Sequence, residues 1–522
     1  MSCRSASLLT LLVACGSNSP PAGPDAAEGC TAAAPGAPTE RVATTGGVVR
    51  GTAVGATFAF LGVPFVAPPV GALRYAAPMP AACSPTELDA TKLGPSCPQL
   101  DSNGVYGGDE DCLQLNVWAP SASAASRPVV VWIHGGGNAA GTATDPMYDG
   151  HRIAEVGDVV VVTVNYRLGQ LGFIDLPSLA AEAAQGSGNY GLLDQISALH
   201  WVHDNIASFG GDPGNVTIFG ESAGARDVCS LVAAPGAAGL FHGALMESGS
   251  CRGLPTRATA QTTGASFATA VSCTGSDIPA CLRALPAQTL INALPPDVSI
   301  LTSTPYQPSI DGAVQTAQPS DVIAGGTHNH VRFLVGANSD ETGKQVPPIM
   351  DANEYAMLVK NSYPSAYNQV LAQYPSSAYP TPRAAYVQLT TDSRFVCPSR
   401  EIAKAMAANQ TEQVFRYFFT FPGSGHFGAF HGLDVPYVFG NFDALIVNGN
   451  PYQATTADLA VSAAIQADWI GFTRAGAPGG SPSWPAWDST DPSRVYSATP
   501  SVELAIRKAH CDFWQTFYDL PH

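Results

Sequence analysis

One serine in the sequence lies in the pattern of an activated nucleophile. Residues 220–224 read Gly-Glu-Ser-Ala-Gly, the only Gly-x-Ser-x-Gly in the chain, and they follow the apolar run Val216–Phe219. Glycines on both sides of a serine permit the sharp strand-to-helix turn that exposes its hydroxyl in a cleft. The pattern therefore predicts that Ser222 is a nucleophile for acyl transfer, the alternative being an ordinary glycine–serine turn.

A second motif, His-Gly-Gly-Gly at residues 134–137, directly follows the apolar run Val129–Ile133. A glycine loop at that place can aim backbone N–H groups at an oxygen that becomes negative during ester cleavage. The N–H groups of Gly136 and Gly137, together with that of Ala223, are the predicted oxyanion donors. The alternatives are a merely flexible loop or a metal ligand at His134.

With further motifs, these segments resemble the type-B carboxylesterase and cholinesterase family of α/β-hydrolases, which includes bacterial para-nitrobenzyl esterases. The resemblance extends over residues 41–520, and its other motifs are Glu110-Asp111-Cys112-Leu113, Leu115-Asn116-Val117, Asn165-Tyr166-Arg167 and the run 189–224. It implies an α/β-hydrolase fold, with a central, mostly parallel, twisted sheet flanked by helices and with helical cap insertions. It also implies hydrolysis of carboxylic esters by a serine, a glutamate and a histidine in that chain order.

The acid and the base of such a triad are expected downstream of the serine. The apolar run Val331–Val335 leads into adjacent carboxylates at Asp340 and Glu341. The family pattern places the acid at Glu341, with Asp340 as the alternative. His431 stands before a segment that resembles the family's catalytic histidine region, and His426 in the same loop is the alternative base.

The expected reaction follows from these roles. His431 takes the proton of Ser222, Glu341 orients the imidazole and supports its cation, and the serine attacks the ester carbonyl. Water activated by the same histidine then releases the acid from an acyl-enzyme, and no metal or organic cofactor is needed.

The resemblance implies that Glu221 and Ser248 support the triad. The alternatives are a lipase for long-chain acyl esters and a cholinesterase-like binding or adhesion protein without catalysis.

Several positions depart from the family pattern. Residues 98–111 contain no Trp, and Tyr106 is their only aromatic residue, so binding of a choline group by cation–π attraction is not expected. Asn138 stands where relatives commonly have an aromatic residue. Arg226 and Asp227 follow the serine motif where small or polar residues are usual. We expect these two charges to pair, the alternative being that Asp227 perturbs the triad.

Alternating strand and helix patterns must position these groups. Runs rich in apolar and β-branched residues predict buried strands at Val129–Ile133, Val159–Val164, Val216–Phe219, Val331–Val335 and Val414–Phe421. The residues at Leu192–Phe209 have helical periodicity, and the segments 256–300 and 351–412 have helical patterns that suit caps over the sheet edge. Strands that alternate with helices predict an α/β sheet. Since no interior linker is visible, residues 41–522 are expected to form a single domain.

The N-terminal residues read as an export signal. Arg4 precedes the apolar stretch Leu8–Ala14, and residues 1–14 are expected to be removed. Residues 12–15, Leu-Val-Ala-Cys, look like a bacterial lipobox, which predicts that Cys15 is lipidated. Residues 15–40 are then expected to form a flexible tether. The alternative is an ordinary secretory signal with an incidental thiol. A periplasmic or outer-membrane lipoprotein is thus expected, otherwise a secreted protein.

Composition and cysteine usage agree with an exported enzyme for small molecules. Lys plus Arg is 24 and Asp plus Glu is 41, a net charge of −17, which disfavours nucleic acid as a partner. Twelve cysteines in an exported chain predict disulfides, and spacing suggests the pairs Cys97–Cys112, Cys229–Cys251, Cys273–Cys281 and Cys397–Cys511. Cys30–Cys83 follows only by elimination. No CxxC or HExxH occurs, so no metal site is expected.

Overall fold

The computed structural model describes residues 30–32, 36–122, 126–182, 186–295, 298–302, 304–423, 425, 427–447 and 449–518. The predicted export signal, the proposed lipidation site Cys15 and the alternative base His426 lie outside the described residues, as does most of the predicted tether. No helix within the described ranges is long and apolar enough to cross a membrane.

Eighteen strands lie in the described part of the chain. They are β1 (Arg41–Thr44), β2 (Gly47–Arg50), β3 (Thr52–Val54), β4 (Thr57–Pro64), β5 (Leu88–Asp89), β6 (Gln99–Leu100), β7 (Tyr106–Gly107), β8 (Gln114–Pro120), β9 (Arg127–Ile133), β10 (Val160–Val164), β11 (Gly211–Glu221), β12 (Gly243–Glu247), β13 (Arg332–Asn338), β14 (Val414–Phe419), β15 (Ile446–Val447), β16 (Asn450–Pro451), β17 (Pro492–Tyr496) and β18 (Ser501–Leu504).

Eleven of these strands form the central sheet in the order β18-β17-β14-β13-β12-β11-β9-β10-β8-β4-β3. The seven neighbours from β17 to β10 run parallel, while β18, β8, β4 and β3 pair antiparallel at the two edges. The expectation of a mostly parallel sheet is confirmed. All five predicted strands lie within it, as β9, β10, β11, β13 and β14. The short run Gly-Ala-Leu-Met-Glu of β12 was not predicted.

Sixteen α-helices lie in the same ranges. They are α1 (His151–Gly157), α2 (Gly169–Gly172), α3 (Pro177–Ala180), α4 (Tyr190–Asn205), α5 (Ala223–Ala233), α6 (Arg257–Ala270), α7 (Ile278–Ala284), α8 (Ala287–Asn292), α9 (Pro319–Ala324), α10 (Ala352–Ser362), α11 (Tyr367–Gln373), α12 (Pro382–Thr391), α13 (Cys397–Asn409), α14 (Val435–Phe439), α15 (Thr456–Ala475) and α16 (Lys508–Tyr518). The predicted helix at Leu192–Phe209 is α4 followed by a 3₁₀ turn, Ile206–Phe209. The segments 256–300 and 351–412 are helical, as expected.

The core lies on both faces of the central sheet. Successive residues of a strand point to opposite faces, so Val129, Val131 and Ile133 of β9 pack with α4 and α5, whereas Val130 and Trp132 pack with α15. A strand that is covered on both faces needs apolar residues at nearly every position. This is why the strands that carry the site appear as continuous apolar runs, and why the ends of these strands are held rigidly.

All ten cysteines that the structure describes are paired, in the four pairs expected from spacing and in Cys30–Cys83. The pairs differ greatly in the length of chain they close. Cys397 and Cys511 are 114 residues apart and join α13 to α16, whereas Cys273 and Cys281 are 8 residues apart.

Removal of these two disulfides is expected to cost different amounts of stability. By loop-closure entropy, replacing both Cys397 and Cys511 by Ser lowers the free energy of unfolding by about 4 to 5 kcal/mol. The same change at Cys273 and Cys281 lowers it by about 2 to 3 kcal/mol. Urea denaturation of the two double variants measures both values, and a larger loss for the shorter loop contradicts the expectation.

Candidate active site

Ser222 lies at a sharp turn between β11 and α5. Its backbone has φ 58° and ψ −119°, a strained conformation for a residue with a side chain. A Cβ on Gly220 would lie 2.6 Å from the carbonyl carbon of Gly224, and one on Gly224 would clash with the Ile133 carbonyl oxygen. The N–H of Ser222 donates to the Glu247 carbonyl at 2.9 Å. Both glycines are therefore required, and the turn has the geometry that the motif predicted.

The glycine loop after β9 packs directly against this turn. A Cβ on Gly135 would lie 3.2 Å from Ser222 Cβ, and Gly136 and Gly137 have φ values of 103° and 65°. Within the described part of the chain, the N–H groups of Gly136, Gly137 and Ala223 donate no hydrogen bond. All three predicted donors are thus free to bind a ligand oxygen.

His134 supports the glycine loop and does not face a metal cluster. Its ring stacks on Tyr166 with centroids 4.5 Å apart, and the Tyr166 hydroxyl donates to the His134 carbonyl at 2.7 Å. Burial lowers the pKa of His134 to about 4, so the ring is neutral. Among the described residues, no group of three or more His, Cys, Asp or Glu side chains is suited to a metal ion.

Glu341 and His431 meet at the carboxyl ends of β13 and β14. His431 Nδ1 lies 2.6 Å from Glu341 Oε2, and the N–H of His431 donates to the Glu341 carbonyl at 3.0 Å. The other carboxylate oxygen accepts from the Asn338 N–H at 2.7 Å, and the side chain is fully buried. Because a carboxylate only accepts, Nδ1 is the donor, and Nε2 carries the lone pair whenever the ring is neutral.

The alternative acid, Asp340, is hydrogen-bonded to groups other than the histidine. Its Oδ2 accepts from Ser339 Oγ at 2.6 Å and from the Ala429 N–H at 3.3 Å. The structure therefore brings Glu341, and not Asp340, to His431.

The serine and the histidine are brought to the same edge of the sheet through β12 and β13. The Ser248 N–H donates to the Gly336 carbonyl at 3.0 Å and connects the end of β12 to β13. The hydrogen bond from the Ser222 N–H to the Glu247 carbonyl connects the serine to β12 in the same way. Ser222 Oγ makes no hydrogen bond within the described ranges, and His431 Nε2 is buried without one. A hydrogen bond between a serine nucleophile and its base is often open in a free enzyme and closes when substrate binds.

Glu221, which precedes the serine, lies beside the histidine. Its Oε1 is 3.2 Å from His431 Nε2, although the angle is not that of a hydrogen bond. Burial raises the pKa of Glu221 to about 8, against the opposing effect of the charge on His431. Burial alone lowers the pKa of His431, but the carboxylates of Glu221 and Glu341 outweigh it and raise the pKa to about 9. The surroundings thus favour the imidazolium.

Replacing Glu221 by Gln is expected to move the pH profile. A histidine acts as a base only when neutral, so kcat/KM rises as pH rises through the pKa of His431. Without the Glu221 charge that pKa falls, and the rise in kcat/KM shifts by about one pH unit or more to lower pH. The exposed Glu155→Gln variant serves as control. An unshifted profile for Glu221→Gln, or an equal shift in the control, contradicts this electrostatic role.

The structure also reveals two buried carboxyl groups that sequence reasoning missed. Glu247 Oε1 accepts from Trp469 Nε1 at 2.8 Å, and Asp434 accepts from the Tyr417 hydroxyl at 2.8 Å and from Asn338 Nδ2 at 3.0 Å. Burial raises the pKa of Asp434 to about 6 and that of Glu247 well above its usual value. The only signal for Asp434 was its position three residues after the histidine.

Ser248, expected to support the triad, is buried, but its hydroxyl has no hydrogen-bond partner in the described part of the chain. It has a left-handed backbone, with φ 55°. Ser248 is therefore held in place next to the site by its backbone, and a supporting role for its side chain stays a prediction.

The expected pair between Arg226 and Asp227 is wrong. Asp227 is fully buried, and its two oxygens accept from Asn138 Nδ2 at 2.9 Å and from Gln195 Nε2 at 2.6 Å. Arg226 instead donates from Nη1 to Gln307 Oε1. Adjacent residues of a helix point in different directions, which is the physical reason that the two charges do not meet. Asp227 thereby anchors Asn138, the residue that follows the glycine loop.

Two further groups form the wall of the site. The Phe395 ring lies 4.9 Å from the His431 ring, centroid to centroid. Thr304 Oγ1 donates to the Gly137 carbonyl at 3.2 Å, which fixes the segment 304–307 against the glycine loop. Neither residue was predicted, because each comes from a segment remote from the motifs.

Comparisons with known proteins identify the family of the chain. The family model described as "Carboxylesterase family" matches residues 38–514. The chain is 36% identical to the para-nitrobenzyl esterase of Bacillus subtilis over 459 residues, which cover 85% of this chain and 92% of that protein. It is 32% identical to the mouse cholinesterase over 536 residues, covering 91% and 86% of the two chains.

Among solved structures, a Geobacillus stearothermophilus carboxylesterase matches with a TM-score of 0.82 and 32% identity, covering 91% of this chain and all of that one. The fold is the α/β-hydrolase fold, and the protein is a carboxylic ester hydrolase. The chain belongs to the carboxylesterase family.

Proposed function

We propose that the protein is a serine esterase in which Ser222, His431 and Glu341 form the catalytic triad. The observation that carries this proposal is the histidine held at Nδ1 by a buried glutamate, with Nε2 unbonded beside the strained serine turn. A serine hydroxyl is a weak nucleophile unless a base removes its proton, and a neutral His431 can do so.

The reaction proceeds in two halves. Ser222 Oγ attacks the ester carbonyl while His431 Nε2 accepts its proton, and the N–H groups of Gly136, Gly137 and Ala223 donate to the oxygen that becomes negative. His431 then protonates the departing alcohol, which leaves an acyl-enzyme. Water, deprotonated by the same nitrogen, attacks the acyl group and releases the acid and the serine. These steps need no metal or organic cofactor.

We assign the buried carboxylates around His431 to stabilisation of its cation. Glu341 accepts the hydrogen bond from the Nδ1–H group and fixes the orientation of the ring, and Glu221, when ionised, adds negative charge on the Nε2 side. Both effects favour the imidazolium that forms as serine attacks. Both effects also raise the pKa of His431, so the fraction of enzyme with a neutral histidine increases as pH rises.

The proposed substrates are carboxylic esters of small to medium alcohols or aryl groups. Choline esters are disfavoured, since the loop between Cys97 and Cys112 offers only Tyr106 as an aromatic group for a cation.

A series of p-nitrophenyl esters of increasing acyl length tests this function. We expect the highest kcat/KM with short and medium acyl chains. A maximum only at long chains indicates a lipase, and no hydrolysis of any ester indicates a binding or adhesion protein. Either of these results contradicts the proposal.

We further propose that the chain is exported, with residues 1–14 removed, Cys15 lipidated, residues 15–40 as a tether and residues 41–522 as one catalytic domain. Support comes from the lipobox-like Leu-Val-Ala-Cys and from the five disulfides. Cys15→Ala is expected to release the enzyme from the membrane fraction, and unchanged fractionation contradicts the anchor.

A further inference from the structure

Arg226 is a cation without a carboxylate partner, placed next to the nucleophile. It lies in the first turn of α5, and its backbone N–H donates to the Ser222 carbonyl at 3.1 Å. Within the described ranges its guanidinium forms no ion pair, and its one hydrogen bond is from Nη1 to the neutral Gln307. Nε is buried with no acceptor. The Nε and Nη2 side of the fork is therefore free of protein acceptors.

This position is unfavourable for a cation in the free protein. The first turn of a helix has a positive electrostatic potential, which stabilises anions and not cations. Burial also lowers the pKa of Arg226, although neighbouring Asp227 opposes this effect. Both carboxylate oxygens of Asp227 are already bound to amide groups. The fold thus holds a poorly compensated positive charge on the helix turn that directly follows the reacting serine.

The guanidinium is connected to the glycine loop through the segment 304–307. Its partner Gln307 belongs to the segment 304–307, which is fixed to the glycine loop by the hydrogen bond from Thr304 Oγ1 to the Gly137 carbonyl. Arg226 therefore links the helix that follows the nucleophile to the segment that contacts the glycine loop. The side chain is only partly buried.

We propose that Arg226 binds a carboxylate group of the substrate and that the enzyme prefers esters that carry one near the scissile bond. This inference rests on the proposed function and specifies its substrate class. A guanidinium binds a carboxylate through two parallel N–H donors, a geometry that lysine or an amide cannot reproduce. An anionic ester supplies the missing negative charge. A neutral ester displaces water from the guanidinium when it binds and leaves the cation without a partner.

Matched pairs of esters test the preference and locate the carboxylate. Monomethyl glutarate and methyl pentanoate differ by a carboxylate on the acyl side, and 4-acetoxybenzoate and phenyl acetate differ by one on the leaving group. Hydrolysis is followed by pH-stat for the wild type, Arg226→Gln, Arg226→Lys and the exposed control Arg152→Gln. The ratio of kcat/KM for the anionic ester to that for the neutral ester is the readout, so the neutral ester controls for folding in each sample.

We expect a high ratio for the wild type in one of the two pairs, the acyl or the leaving-group pair. In Arg226→Gln that ratio falls about 10- to 100-fold, in Arg226→Lys it falls less, and in Arg152→Gln it is unchanged. Glutarate should also inhibit hydrolysis of the neutral ester, with an inhibition constant about tenfold or more higher in Arg226→Gln.

Two failures have different meanings. Wild-type activity on the neutral esters, with a ratio that Arg226→Gln leaves unchanged, overturns the role of Arg226 and leaves the esterase proposal standing. Absence of activity on all four esters overturns the proposed function, and the inference with it.

Discussion

Replacing Ser222 by Ala is expected to lower kcat for p-nitrophenyl acetate by about 10⁴- to 10⁶-fold, with KM changed little. No other hydroxyl occupies the turn between β11 and α5, so the acyl-enzyme cannot form. The N–H groups of Gly136, Gly137 and Ala223 remain, and they still stabilise attack by water to a small extent. Stopped assays at high enzyme concentration measure this residual rate.

The control for this variant is Ser272→Ala, since Ser272 is exposed and has a similar left-handed backbone, with φ 62°. It is expected to retain wild-type kcat. If Ser222→Ala keeps substantial turnover while its circular dichroism is unchanged, another group is the nucleophile.

Replacing Glu341 by Gln is expected to lower kcat by about 10³- to 10⁴-fold. The carboxylate accepts a hydrogen bond from His431 Nδ1, 2.6 Å away, and stabilises the cation that forms when serine is deprotonated. An amide at this place removes the negative charge, and its NH₂ group can donate to Nδ1, which favours the tautomer with the proton on Nε2. That tautomer cannot accept the serine proton.

Asp340→Asn is the matched control, because it makes the same chemical change at the adjacent residue. Asp340 contacts Ser339 and Ala429 and not the histidine, so its kcat is expected to stay within about threefold of wild type. Equal losses in the two variants contradict the assignment of Glu341 as the acid.

Much of this architecture could be predicted from local sequence. The strands that carry the site are buried on both faces, so β9, β10, β11, β13 and β14 appear as continuous apolar runs. Gly220 and Gly224 have to be glycine because backbone atoms occupy the space of a side chain, and this requirement is visible as a motif. Strand β12 escaped prediction since its run is short and starts with the small residues Gly-Ala.

The electrostatic surroundings of the site could not be read in the same way. Glu247, Asp434 and Asn138 act through contacts with residues that are 17 to 222 positions away, as the bonds from Tyr417 to Asp434 and from Trp469 to Glu247 illustrate. The error at Arg226 and Asp227 has the same origin: adjacency along a helix suggested a pair, while the tertiary partners of both side chains come from other segments. Such partners are fixed by packing, which one-dimensional patterns do not contain.

The most direct test of the central claim is to locate the covalent intermediate. Treatment with diethyl p-nitrophenyl phosphate, followed by proteolysis and mass spectrometry, should find one diethylphosphoryl group per chain, on Ser222, in proportion to the activity lost. Ser222→Ala should take up no label under the same conditions. Loss of activity with the label on another residue, or full activity after stoichiometric labelling of Ser222, would contradict the account.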